Sequence, residues 1–324
     1  MNRKPFFLLL IAGLFFYCPG GIAQVDEKDD TTLINNNLDL EKILTQEYQS
    51  NGKTSGYYTA ATFKSTRIIN GQSIENVGKG VLDFRIAHRF GEVNEGIKNL
   101  YGLDNATTKF GFDYGITDWL MAGIGRSSFE KEYDGFIKAK IIKQSVDDHY
   151  PVSITCVAGM SVQTLDVVSI PGYTYYFSNR LYYVDQILIA RKFNQYLSLQ
   201  LTPTYLHYNL VANAGEPNDV LAVGIGGRIK LSKRIALTGE YYYVIPGHKL
   251  DGYNNSVSFG IDIETGGHVF QLFLTNSSAI SERAFIGETT GDVLKGDLHL
   301  GFNISRVFTI VKSKEFNNAE GKSW

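Results

Sequence analysis

Residues 253–276 read Y-N-N-S-V-S-F-G-I-D-I-E-T-G-G-H-V-F-Q-L-F-L-T-N. In the first arm Val257, Phe259, Ile261 and Ile263 alternate with Ser256, Ser258, Gly260, Asp262 and Glu264, the two-residue period of a strand with one apolar and one polar face. In the second arm Phe270, Leu272 and Leu274 share one side and Gln271 and Thr275 the other, with Thr265-Gly266-Gly267 as the turn. One hairpin of this kind fits a soluble sandwich as well as a membrane barrel. The number of repeats decides between them.

Outward from that hairpin the same alternation predicts twelve strands, near 80–90, 106–116, 119–128, 132–143, 151–163, 179–192, 195–208, 219–231, 234–245, 254–264, 268–276 and 296–309. Most run to about 9–14 residues, and a tilted strand crosses a bilayer in about 9–11. Short turns at Thr117-Asp118, Phe193-Asn194, Ser232-Lys233 and 265–267 alternate with longer connections at 91–105, 164–178, 209–218, 246–253 and 277–295. The turn at 144–150 is the one long member on the short side. Short periplasmic turns facing long external loops are the signature of an outer-membrane barrel with both ends in the periplasm. The expected fold is therefore all-β, a transmembrane antiparallel up-and-down barrel.

Composition excludes other classes. Of 324 residues, 31 are basic and 33 acidic, so there is no charge excess for nucleic-acid binding. The 20 Tyr, 20 Phe and 33 Gly suit many strands with aromatic ends and tight turns. Residues 1–23 form an export signal: Arg3 and Lys4 precede an apolar run from Phe6 to Tyr17, and Gly21-Ile22-Ala23 places cleavage after Ala23. That run is shorter than the about 20 residues of a spanning helix. Cys18 leaves with the signal, and Cys156 reads as a small hydrophobe on an apolar wall.

The two faces of the strands differ sharply. Leu82, Phe84, Ile86, Phe110, Phe112, Tyr114, Leu197, Leu199, Leu201, Leu221, Val223, Ile225, Leu298, Leu300, Phe302 and Ile304 fall on one side. Opposite lie Asp83, Arg85, Arg89, Lys109, Asp113, Lys138, Lys140, Arg228, Lys230, Glu240, Asp262, Glu264, Asp297 and His299, the expected lumen lining. Their opposed signs point to internal ion pairs, because an unpaired buried charge is costly. Closure of the barrel predicts Asp297 beside Arg89 across the seam.

Residues 24–78 form an amino-terminal segment before the barrel of 79–310, and 311–324 a tail. A short helix is expected after Asn37. A hairpin is expected over 62–77, with Asn70-Gly71 at its tip. One further wall strand before Lys79 would make an odd count, so the hairpin belongs in the periplasm or in the lumen as a plug; a fourteen-strand barrel using both arms is the alternative.

The blocks TFKSTRIINGQSIENVGKGVLDFRIAHRFG, DYGITDWLMAGIGRSS, YDGFIKAK, QILIARKF, GIDIETGGHVFQLFLTNS and GDLHLGFNISRVFTI resemble a family of Gram-negative β-barrel proteins known only as a domain of unknown function. The resemblance runs from about Thr62 to Ile310 and implies the barrel fold and an outer-membrane address. It implies no activity and transfers no functional residue.

Candidate chemistry is sparse. The six histidines, His88, His149, His207, His248, His268 and His299, lie singly without metal spacing, and no cofactor motif is present. Gly224, Gly226 and Gly227 lie mid-strand and thin the wall rather than cradle phosphate. Ser127, Ser128, Ser277, Ser278, Ser281, Glu282, Glu288 and Asp292, with His248, are the loop residues from which a lipid- or peptide-cleaving barrel enzyme would be built, without the G-x-S-x-G elbow. Tyr173, Tyr175 and Tyr176 are candidates for stacking on a sugar or resting at the lipid interface. Residues 277–295 have the length to fold inward as a constriction. The functional expectation is a channel or an envelope scaffold, with a barrel enzyme and a purely structural barrel as alternatives. Expected partners are outer-membrane lipid, the barrel-assembly machinery and a periplasmic protein, with no nucleic acid.

Overall fold

The structure, a computed structural model, describes residues 58–59, 61–165, 174–265 and 267–311. The expected export signal, the helix expected after Asn37, Tyr173 and the tail from 312 lie outside the described residues.

Twelve strands are present: β1 (Val81–Glu92), β2 (Ala106–Gly115), β3 (Leu120–Ser127), β4 (Tyr133–Ile142), β5 (Ser153–Val162), β6 (Leu181–Lys192), β7 (Leu197–Tyr208), β8 (Asp219–Lys230), β9 (Ile235–Val244), β10 (Ser256–Thr265), β11 (His268–Thr275) and β12 (His299–Thr309). Each pairs antiparallel with its neighbours in sequence, and β12 returns to β1 to close the barrel. Closure removes the two edges that an open sheet would leave with unpaired backbone groups.

The quoted hairpin shows how the register is set. Thr265 pairs with His268 and Ser258 with Thr275, and Gly267 adopts φ +98°, a conformation open to glycine and strained for other residues. With a period of two, this register turns Ser258, Asp262, Gln271 and Thr275 inward to near-complete burial while Phe259, Ile261 and Leu272 stay exposed outside. The rest of the wall repeats the division, with Ile124, Ile137, Ile187, Ile225 and Leu199 exposed on the outer surface. A continuous belt of this kind is not a water-facing surface.

The seam carries a bulge. Pairing runs from Val81 with Thr309 to Arg89 with Gly301, then shifts so that Glu92 meets His299. Arg89 itself stands opposite Gly301, so Asp297 lies four residues earlier in the chain, before β12 begins. Asp297 consequently accepts a hydrogen bond from Asn94 Nδ2 at 2.7 Å and does not reach Arg89. The expected Asp297–Arg89 contact and the lumen placement of Asp297 are therefore both corrected.

Residues 61–77 do not join the wall, which excludes the fourteen-strand alternative. They also lack regular strand pairing: a single bridge joins Arg67 to Gln72 around the tip, with Ile68 N donating to Gly71 O at 2.9 Å and Ser73 N to Thr66 O at 3.0 Å. The expected hairpin is thus reduced to a tight loop, and around its tip the N–H groups of Ile69, Asn70 and Gly71 and the carbonyls of Ile68, Ile69 and Gln72 bond to barrel side chains instead of to each other.

Candidate functional site: a lumen closed from both ends

The inserted segment enters beside the turn between β4 and β5, where Thr59 N donates to Gln144 O at 2.8 Å. It leaves through Gly78 into β1. Inside, Phe63, Ile68, Ile74 and Val77 pack on Met121, Phe136, Val157, Leu188 and Ala190 of the inner wall. Full burial of an aliphatic or aromatic side chain contributes about 1.5–3 kcal/mol, so this contact alone seats the segment firmly.

Wall side chains satisfy its backbone. The Glu240 carboxylate accepts the N–H groups of Ile69, Asn70 and Gly71 at 3.3, 2.7 and 3.1 Å. Gln271 donates to Ile68 O at 2.6 Å, Asn303 to Ile69 O at 2.8 Å, Gln200 to Gln72 O at 2.7 Å and Lys138 to Glu75 O at 2.6 Å. Arg89 spans both parts, donating to Asn70 Oδ1 at 2.6 Å and Asn303 Oδ1 at 3.0 Å, with its guanidinium 4.2 Å from the Phe273 ring centroid. Two glycines make room: a Cβ on Gly71 would fall 2.0 Å from Tyr242 Oη, and one on Gly226 2.3 Å from Ile68 Cδ1. The predicted thinning of the wall at Gly226 has this use.

From the loop end a second element enters. The connection between β11 and β12 turns inward and forms a short helix, α1 (Glu282–Gly287), whose Arg283, Ala284, Phe285, Ile286 and Gly287 are buried. Phe285 and Ile286 pack among Tyr182, Leu206, Tyr208, Val220, Tyr242 and Val244. The two insertions touch at Glu282, whose Oε1 accepts from Gln72 Nε2 at 3.1 Å and lies 3.5 Å from Arg67 Nη2. The cavity left at this junction is about 20 Å³, close to one water.

Arg283 anchors α1 to the opposite wall. Its Nη1 donates to both oxygens of Glu288 at 2.7 Å, and its Nη2 to Glu132 at 2.9 Å and to Glu130, in the turn between β3 and β4, at 2.5 Å. Its guanidinium also sits 4.3 Å from the Tyr182 ring centroid, and its carbonyl accepts from Tyr208 Oη. Burial alone lowers the Arg283 pKa, but Glu132, Glu288 and Glu130 outweigh it and hold the group firmly charged. Burial raises the Glu288 carboxyl to about 7; Arg283 opposes this, and Glu130 and Glu132 reinforce it.

Of the predicted lumen residues, Asp83, Arg85, Arg89, Lys109, Asp113, Lys138, Arg228, Glu240, Asp262 and His299 are buried inside the barrel. Lys109 pairs with Asp134 at 2.8 Å, and Asp113 accepts from Thr66 of the inserted segment at 2.9 Å. At the turn end, Glu264 pairs with Lys64 at 2.7 Å and Lys140 lies 3.9 Å from Glu75, while Lys230 is half-buried on the same face as Arg228. A vestibule of about 270 Å³ opens there between the inserted segment and the wall, lined by Lys64, Glu75, Asp83, Glu264 and Ser305.

Four of the loop residues considered for catalysis are engaged otherwise. Ser281 donates to Glu132 at 2.9 Å, Glu282 and Glu288 are tied to Arg67 and Arg283, and His248 Nδ1 contacts the Asp219 carbonyl at 3.0 Å. Tyr176 is exposed and Tyr175 half-buried on the outer connection. Residues that sequence reasoning passed over include Arg283, Glu130 and Glu132. Their one visible signal is the concentration of charge in the turn 129–132 and at Glu282-Arg283.

Residues 63–308 match the family model described as a membrane bound beta barrel domain (DUF5777). The chain belongs to that family. It is thus a membrane-bound β-barrel, and the exposed apolar belt is its lipid-facing surface. Among solved structures, the NanC porin is similar at 9% identity and a TM-score of 0.43, with 70% of this chain and 98% of the porin covered. The KdgM porin gives 8% identity and a TM-score of 0.43, with 70% and 99% covered. An outer membrane channel from Pseudomonas putida F1 gives 12% identity and a TM-score of 0.44, with 72% and 98% covered. A comparison with curated proteins finds no match.

Proposed function

We propose that this protein is an outer-membrane channel closed at rest by two stoppers of its own, residues 61–77 from the periplasmic side and α1 from outside. The observation that carries the reading is their meeting at Glu282, Arg67 and Gln72 inside a wall lined with Asp83, Arg85, Arg89, Asp113, Lys138 and Glu240. A barrel that served only as a brace has no need of a charged interior, since apolar packing fills a lumen without the desolvation cost of buried ions. A conduit has that need, because its wall must face water once the stoppers leave. Export through the signal of residues 1–23, with cleavage after Ala23, fits this address. Lipid surrounds the belt, the barrel-assembly machinery inserts the strands, and a periplasmic protein acting on the amino-terminal segment is the natural partner for withdrawing the inner stopper.

Planar-bilayer recording tests the reading. The full chain is expected to conduct little, and a variant with residues 62–77 replaced by a flexible glycine-serine linker to give discrete steps. A folded, heat-modifiable variant that stays silent would turn the assignment to an envelope scaffold.

A further inference from the structure

The cluster around Arg283 has more negative charge than its geometry can neutralise. Three carboxylates, Glu130, Glu132 and Glu288, converge on one guanidinium. Glu132 is fully buried and Glu132 Oε1 has no hydrogen-bond partner. Asp134 and Glu282 line the same small cavity and are already matched to Lys109 and Arg67. Among the described residues, the other groups facing Glu288 are Tyr182 from β6, Tyr208 from β7 and Tyr253 from the β9–β10 connection, none of them a cation. A buried excess of carboxylate over base is costly, and a proton is the smallest particle that relieves it.

We propose that Glu130, Glu132, Arg283 and Glu288 form a proton-operated latch that keeps α1 in the mouth of the barrel when protonated and releases it when the proton is lost. Position supports this. The four residues join the β3–β4 turn to α1, the only α-helix among the described residues, and that helix touches the inner stopper through Glu282. Losing the latch thus frees the outer stopper and removes the carboxylate that holds Arg67 and Gln72. The high Glu288 pKa is the expected companion of such an arrangement, since withdrawal of α1 into water restores an ordinary carboxyl. Release is therefore favoured as pH rises from the ordinary Glu range toward neutrality. For one proton the equilibrium moves by at most about tenfold per pH unit.

This inference rests on the stopper reading of α1 and is tested without measuring current. In the mature chain with Cys156→Ser, a cysteine is placed at Ala284, which is buried, or at Asp251, which is exposed. Both proteins, in lipid vesicles, are treated with a membrane-impermeant maleimide from pH 5 to pH 8. The ratio of A284C to D251C labelling, which removes the intrinsic pH dependence of thiol reactivity, is expected to rise severalfold, and with Glu288→Gln to stay low throughout. Glu130→Gln, at the partly exposed end of the cluster, serves as the second variant and is expected to flatten the profile. A ratio indifferent to pH, or a Gln variant that follows the wild-type curve, overturns the latch. A pH-dependent ratio in a barrel that never conducts leaves the latch standing and removes the channel instead.

Discussion

Glu240, midway along β9, accepts the backbone N–H of Asn70 at 2.7 Å, and the same carboxylate also takes those of Ile69 and Gly71. One wall residue therefore holds the whole tip of the inner stopper. Replacing Glu240 with alanine leaves three buried donors without an acceptor, each costing about 1–3 kcal/mol. The expected result is trypsin cleavage at Lys64 or Arg67 in the folded, detergent-solubilised variant, with the wild type protected. Equal protection of both proteins would show that the apolar contacts of Phe63, Ile68 and Ile74 suffice alone.

Gly71 and Tyr242 are coupled by space. A methyl group on Gly71 would overlap Tyr242 Oη, so Gly71→Ala is expected to destabilise the folded barrel by about 1–3 kcal/mol, the usual range for overpacking. Tyr242→Phe removes the oxygen that clashes. The double variant should recover part of the loss, and a thermal-unfolding double-mutant cycle measures how much. Purely additive effects would mean that the loop moves aside.

The barrel was legible in the sequence because each of its signals is local. Alternation over 256–264 fixes which side chains point inward, and the turn at 265–267 fixes the register without reference to anything distant. The inner stopper had a local sign too, the Asn70-Gly71 turn, but its partners are not local. Asn303 lies 234 residues from Ile69, and Gln271 lies 203 from Ile68. A carbonyl satisfied by a distant amide leaves no trace in its own neighbourhood, so the segment reads as a hairpin when it is a loop. The Asp297–Arg89 expectation failed for a related reason, because the register across the seam joins segments far apart in the chain, and it pairs Arg89 with Gly301. The α1 helix was hidden as well: it spans six residues and Ser281 makes no side-chain cap.

Cys156 tests the orientation of the wall. It sits in β5 between Ala139 and Ile187, is exposed on the outer face and has no disulfide partner among the described residues. In reconstituted vesicles it should react with a lipid-soluble maleimide and resist a charged one, because it lies at mid-strand in the acyl region. Unfolding in urea should equalise the two reagents. Rapid labelling by the charged reagent in the folded, reconstituted protein would place β5 in water and undo the lipid-facing belt.

Glu288 gives stability a pH dependence whose sign is fixed by the direction of its shift. Burial raises the folded-state pKa to about 7 from an ordinary value of 4.5, so the folded barrel holds this proton more tightly than the unfolded chain. The associated stabilisation is complete below about pH 4.5 and fades as pH rises toward about 7, with a limit of about 3 kcal/mol for one group. Glu288→Gln mimics the protonated acid and has no proton to lose. The difference in unfolding free energy between the variant and the wild type should thus grow in favour of the variant from pH 5 to pH 8. Arg283 pulls the other way, since glutamine gives up a charge-assisted bond at 2.7 Å. If that bond dominated, the variant would be the weaker protein at pH 8 and the two curves would converge in acid. The burial of Glu288 and the two further carboxylates beside it argue for the first outcome, and unfolding measured at the two pH values separates them.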